Sequence, residues 1–144
     1  LEGRVIDRAG LLPPLLEEQI AAQSQALERR TTDQLVVVTL DSLNGASIDQ
    51  VGMALGNAWG AGRKDRDNGV LLLVAPGERL VRIEVGRGLE ALLTDERSAA
   101  IVREMQPLFA SGRPEQAVKR GVDRITTLLA ADPGRPRYLP KEAA

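Results

Sequence analysis

Two stretches of the chain are apolar almost without a break, 34–40 (QLVVVTL) and 70–75 (VLLLVA). Strands buried on both faces read this way, so both are expected inside a sheet. A third stretch, 80–85 (LVRIEV), partly alternates. Val81, Ile83 and Val85 are expected to face the core, with Arg82 and Glu84 facing outward on a more exposed strand. Pro76-Gly77-Glu78-Arg79 is a tight-turn sequence that makes the last two strands a hairpin. Elsewhere the period is helical. Pro13-Pro14 suits a first helical turn, and Leu16, Ile20 and Leu27 fall on one face of a helix reaching about Arg29. Ser47 and Gln50 make a capping box ahead of the stripe Ile48, Val51, Leu55, Ala58, and that helix ends at Trp59. Thr94 or Asp95 caps a helix with Ile101, Met105 and Leu108 inward, and Pro114 opens a last helix carrying Val118, Val122, Ile125 and Leu129. Residues 1–12 read as an extended arm punctuated by Asp7 and Gly10.

The order is helix, strand, helix, strand, strand, helix, helix. The first strand–helix–strand unit is expected to give a parallel pair with a right-handed crossover, and the hairpin adds an antiparallel strand. Strands this apolar need helices on both faces. The expected fold is therefore α/β, a three-layer α/β/α sandwich with a small mixed, mostly parallel sheet. It forms one domain over 1–131, followed by a Pro-rich, polar tail or linker over 132–144.

Composition narrows the chemistry. A formal net charge of −1 over 144 residues offers no basic excess for phosphates, and Trp59, Phe109 and Tyr138 are the only aromatics. Nucleic acid is not an expected partner. Without Cys or His, thiolate and imidazole zinc sites, thiol nucleophiles and Ser-His-Asp triads are all excluded. Carboxylates, Lys, Tyr, Ser/Thr and an oxygen-bound hard cation remain. No apolar run approaches the roughly 20 residues that span a bilayer. The chain opens on Leu1 and reads as an excised or processed segment.

The richest polar stretch is Trp59 to Gly69 (WGAGRKDRDNG), with a helix end before it and an apolar strand after it. In a hairpin the start of one strand neighbours the end of the other, so Asp65 and Asp67 are expected at the same end of the sheet as Gly86–Asp95. Asp65, Asp67, Glu90 and Asp95, with Glu84, are the carboxylates that this topology gathers. Gathered carboxylates repel unless protonated or bridged by a cation, and an all-oxygen set suits calcium or magnesium. The plainer reading is solvated loop charges, with Asp95 as a helix cap and Asp7 capping a turn. Arg63, Lys64 and Arg66 border the group as its solvated partners, with the orienting of a phosphate as their alternative role. The run from Asp65 to Gly69 starts like a calcium-binding loop, but Pro76 stands where the bidentate Glu belongs, so it is not an EF-hand. Gly86-Arg87-Gly88-Leu89-Glu90-Ala91 fits a dinucleotide fingerprint, but no helix opens inside it, and positive-φ turn glycines are the better expectation.

Four motifs in order resemble the TPM domain, named after a thylakoid lumen protein, a photosystem II repair protein and a worm receptor modulator. They are Val5-Ile6-Asp7 with Gly10-Leu11-Leu12; Gln34–Thr39; Trp59-Gly60-x-Gly62 with Asp67-Asn68-Gly69 and Val70–Leu73; and Arg82-Ile83-Glu84-x-Gly86-x-Gly88-Leu89-Glu90 with Asp95. The resemblance runs from about residue 3 to 131. It implies a three-layer α/β/α fold and an extracytoplasmic, periplasmic or membrane-anchored location, often with a transmembrane tether after the domain. It also implies an acidic site for a divalent cation, commonly calcium, and an acid phosphatase activity credited to a plant relative. Carried over by motif, the metal-site candidates are Asp7, Asp67, Glu90 and Asp95, with Asp65 as a neighbour. No catalytic nucleophile is evident. The function expected is that of a monomeric accessory domain binding a partner protein or membrane complex, tuned by the cation. The alternative is a metal-assisted acid phosphatase acting on phosphomonoesters.

Overall fold

The computed structural model describes residues 3–59 and 67–131. Its elements are β1 (Val5–Asp7), α1 (Pro14–Thr31), β2 (Gln34–Thr39), α2 (Ile48–Trp59), β3 (Gly69–Ala75), β4 (Leu80–Val85), α3 (Asp95–Ala110) and α4 (Pro114–Ala130). The four strands form one sheet in the order β1-β2-β3-β4, parallel except for the β3–β4 hairpin. The two apolar runs are the central strands, and all seven residues of β3 are buried. The turn between β3 and β4 closes through Arg79 N–H donating to the Pro76 carbonyl at 3.2 Å. Part of the arm is a strand, since Val5, Ile6 and Asp7 pair in register with Val37, Val38 and Thr39. Three residues are too few for an alternation to show in sequence; pairing with β2 is what makes them a strand.

The side chains divide between two apolar layers. Leu35, Val37, Val70, Leu72, Val74 and Ile83 pack with α1, α3 and α4, among them Ile20, Leu27, Ile101, Met105, Val122 and Leu129. Val36, Val38, Leu71 and Leu73 pack on the other face with α2, through Ile48, Val51, Leu55 and Trp59. The fold is thus a three-layer α/β/α sandwich. Trp59 seals the end of α2 onto the sheet. Strand order advances one way from β1 to β3, yet α1 and α2 cover opposite faces. The two crossovers therefore have opposite hand, and one is left-handed against the roughly 98% right-handed rule.

Helix starts follow local chemistry. Ser47 Oγ accepts from Gln50 N–H at 3.0 Å, and Gln50 Oε1 accepts from Ser47 N–H at 3.3 Å, so the capping box forms. Thr94, not Asp95, caps α3, its hydroxyl accepting from Arg97 N–H at 3.2 Å. Asp95 is the first residue of that helix, where its charge suits the dipole. Among the described residues, no helix is long and apolar enough to cross a membrane. The tail expected over 132–144 lies outside them.

Candidate functional site

At Asp7 the chain turns from β1 towards α1. Gly10 takes φ +63°, which aims the next amides back at the strand end. Leu11 N–H and Leu12 N–H each donate to the Asp7 carboxylate at 2.9 Å, and the buried Thr39 hydroxyl donates to it as well. That hydroxyl in turn accepts from Ala9 N–H at 3.1 Å. Burial raises the Asp7 carboxyl, but hydrogen bonds from Thr39, Leu12 and Leu11 outweigh it and hold the group below its ordinary value. A carboxylate that accepts from two amides of the turn that follows it is a turn cap. It also stands at the carboxyl end of β1, whereas Asp67 precedes β3 at the other end of the sheet. The structure does not bring Asp7 to the other acidic residues.

Asp67, Glu90 and Asp95 do share one end of the sheet. Asp67 has φ +52°, its carbonyl accepts from Gly88 N–H at 2.9 Å, and its carboxylate meets Arg87 at 3.4 Å. The next residue, Asn68, is fully buried and donates to the Thr32 carbonyl at 2.7 Å, tying the start of β3 to the turn before β2. Gly86 has φ −65° and opens a single 3-10 turn over Arg87–Leu89. Neither Gly86 nor Gly88 takes the positive φ expected of them. No helix starts here to receive a pyrophosphate, since α3 begins only at Asp95.

Glu84 is the surprise of this end. Arg82 and Glu84 do not point to open solvent as alternation suggests. A Cβ added at Gly52 would lie 3.1 Å from Arg82 Cγ, and one at Gly56 would lie 3.1 Å from Glu84 Cγ. The two glycines, four apart on α2, leave room for these side chains beneath the helix. There Arg82 Nε donates to Glu84 at 3.1 Å and Arg82 also meets Asp49 at 3.5 Å, with the Glu84 side chain 23% exposed. The Gly52-x-x-x-Gly56 spacing is the sequence signal that reveals the close approach.

Two adjoining clefts border β4. One, of about 650 Å³, runs between α2 and α3 and holds Asp49, Arg82, Glu84, Glu90, Asp95 and Arg103. The other, of about 250 Å³, holds Met53, Asn57, Asp67, Glu84 and Arg87. A third cleft of about 700 Å³ lies at the opposite end of the sheet, floored by Ile6, Val38, Leu43, Val51 and Leu55 with Arg8 on its rim.

Residues 5–128 match the TPM domain family. The chain belongs to that family. Among solved structures, the N-terminal domain of a Porphyromonas gingivalis protein is 32% identical, with a TM-score of 0.83 over 89% of this chain and 82% of that one. The N-terminal domain of the Corynebacterium glutamicum protein cg2496 is 17% identical, with a TM-score of 0.70 over 88% of this chain and 79% of that one. The BA42 protein of the psychrophilic bacterium Bizionia argentinensis is 20% identical, with a TM-score of 0.69 over 92% and 88%. No protein of curated function matches the chain.

For a TPM domain the question is whether the acidic residues fit a cation. Among the described residues, no three carboxylates gather as a cation cage. Asp7 is remote and already accepts three hydrogen bonds, Asp67 faces Arg87, and Glu84 faces Arg82. Six to eight oxygens are what calcium requires. The described donor set does not fit a resident cation, and no chemical step is derived through one. Asp65, with Arg63, Lys64 and Arg66 beside it, lies outside the described residues.

Proposed function

We propose that this TPM domain is an extracytoplasmic accessory module that binds a partner protein or membrane complex through the β4 side of its sheet. The observation that carries the reading is the charged groove beside β4. Its carboxylates and guanidiniums are spread along the groove, as a binding surface requires. The extracytoplasmic setting rests on the resemblance. The solved Porphyromonas gingivalis relative is itself an N-terminal domain, which leaves room for a tether in a more C-terminal segment. A divalent cation would tune the binding by screening the acidic wall.

Two measurements test the reading together. The domain, mixed with detergent-solubilised envelope complexes, is expected to co-migrate on sizing. A folded double variant, Glu90→Lys with Asp95→Lys, is expected to lose that co-migration. Hydrolysis of an aryl phosphate is assayed in parallel, with and without chelator, for the wild type and Asp67→Asn. Turnover abolished by both the chelator and Asp67→Asn would replace the binding reading with the phosphatase one.

A further inference from the structure

The hairpin register fixes which backbone groups of β4 are spoken for. Gly86 N–H donates to the Gly69 carbonyl at 2.8 Å, and these two residues stand directly opposite. Hydrogen-bonded and non-hydrogen-bonded pairs alternate along an antiparallel ladder. Glu84, Arg82 and Leu80 are therefore bonded to Leu71, Leu73 and Ala75. Val85, Ile83 and Val81 direct their N–H and C=O groups away from β3. Among the described residues no backbone or side-chain group meets them, because β4 is the last strand of the sheet. Three donors and three acceptors thus lie along about 14 Å of strand edge, at roughly 3.4 Å per residue.

Exposed edges are usually short or interrupted, because they template pairing with other chains. This one is six residues long, has no proline or bulge, and forms the floor of a groove. All five residues from Val81 to Val85 line that groove, between Asp49 of α2 and Ala99, Val102 and Arg103 of α3. Apolar contacts flank the edge on both sides. Met53 is 55% exposed beside the neighbouring cleft, Leu80 is 40% exposed at the start of the strand, and Ala99 and Val102 sit on the α3 wall. Ser98 Oγ, shielded from solvent, has no hydrogen-bond partner on the same wall. The charges there are four carboxylates against two guanidiniums. Arg82 is already engaged by Asp49 and Glu84, and Glu90 and Asp95 form no ion pair among the described residues.

We propose that the free edge of β4 receives an extended basic peptide segment of the partner as a fifth strand. Main-chain hydrogen bonds to Val81, Ile83 and Val85 supply the attachment. Side chains alternate to the two walls, with Lys or Arg residues of the segment meeting Glu90 and Asp95 on the α3 side and its apolar residues meeting Met53 on the α2 side. The inference rests on the partner-binding reading and names the surface and the chemistry of what it holds.

The probe is an eight-residue peptide alternating Lys with Val, titrated into the full chain labelled with nitrogen-15. Controls are the Glu–Val counterpart and a Lys–Val peptide N-methylated on the edge it presents. Shifts are expected to centre on Val81, Ile83 and Val85, whose amides exchange at least fivefold more slowly in the complex. The Glu–Val and N-methylated peptides are expected to bind at least tenfold more weakly. Glu90→Lys with Asp95→Lys is expected to weaken the Lys–Val peptide to the same degree while leaving the spectrum folded. Equal binding of the acidic or N-methylated peptide, shifts centred elsewhere, or no shift at millimolar peptide would each overturn the proposal. If the peptide fails while charge reversal still abolishes envelope co-migration, strand addition falls and the partner-binding reading stands.

Discussion

The two ends of the sheet carry carboxylates of opposite kinds. At the carboxyl end of β1, Asp7 accepts from two backbone amides and a buried hydroxyl. At the other end, Glu90 and Asp95 stand exposed, and Asp67 meets an Arg87 whose side chain is 88% exposed. Asp7 has hydrogen bonds to lose and holds the fold. The others have little to lose and are available to a ligand. Residue type and motif membership do not separate these roles; the number and burial of the donors does.

The largest expected effect is at Asp7. Replacing it with Ala strands two amides and the Thr39 hydroxyl. Since hydrogen bonds to charged groups contribute about 1.5–3 kcal/mol, a loss of about 2–3 kcal/mol is expected. Denaturant unfolding measures it, and a loss below about 0.5 kcal/mol would erase the contrast between the ends. Next comes the seat of α2 on β4. Gly52→Leu would drive Cβ onto Arg82 Cγ, 3.1 Å away, and Glu84 Oε2, 3.3 Å away. Overpacking of this kind costs about 1–3 kcal/mol. Because the helix would lift from β4, binding at the groove should fall along with the melting temperature. Retained binding would separate the groove from the α2 contact.

Acid sharpens the same contrast. The folded pKa of Asp7 is depressed, so the stability it contributes is present above its ordinary value near 3.8 and is lost as pH falls through the folded value. Wild type should exceed Asp7→Asn in stability at neutral pH, and the gap should close below about pH 4. A gap that persists at pH 2 would assign the loss to packing rather than charge. At the acidic end, Glu90→Gln and Asp95→Asn should each move stability by less than about 0.5 kcal/mol. The smallest effect expected is that of calcium. With so few converging oxygens, calorimetric affinity should be no tighter than the roughly 10⁻⁴–10⁻³ M range of extracellular modules. A micromolar Kd abolished by Asp67→Ala would show a cage that the described carboxylates do not form.

Sequence alone determined the three layers and three of the four strands. The uninterrupted apolar runs at 34–40 and 70–75, the turn at Pro76–Arg79 and the helical stripes specified strands, hairpin and covering helices, because burial on two faces leaves no polar position to hide. Motif order led to the family for the same reason: those positions answer to local backbone geometry. Only the tertiary structure decided three other things. It paired Val5–Asp7 with β2, since three residues have no periodicity of their own. It turned Arg82 and Glu84 under α2, since the room for them comes from Gly52 and Gly56, about thirty residues away in sequence. It also set Asp7 apart from Asp67, Glu90 and Asp95, because a carboxylate's role depends on which donors reach it, and those donors are fixed by chain direction through the sheet rather than by the spelling of a motif.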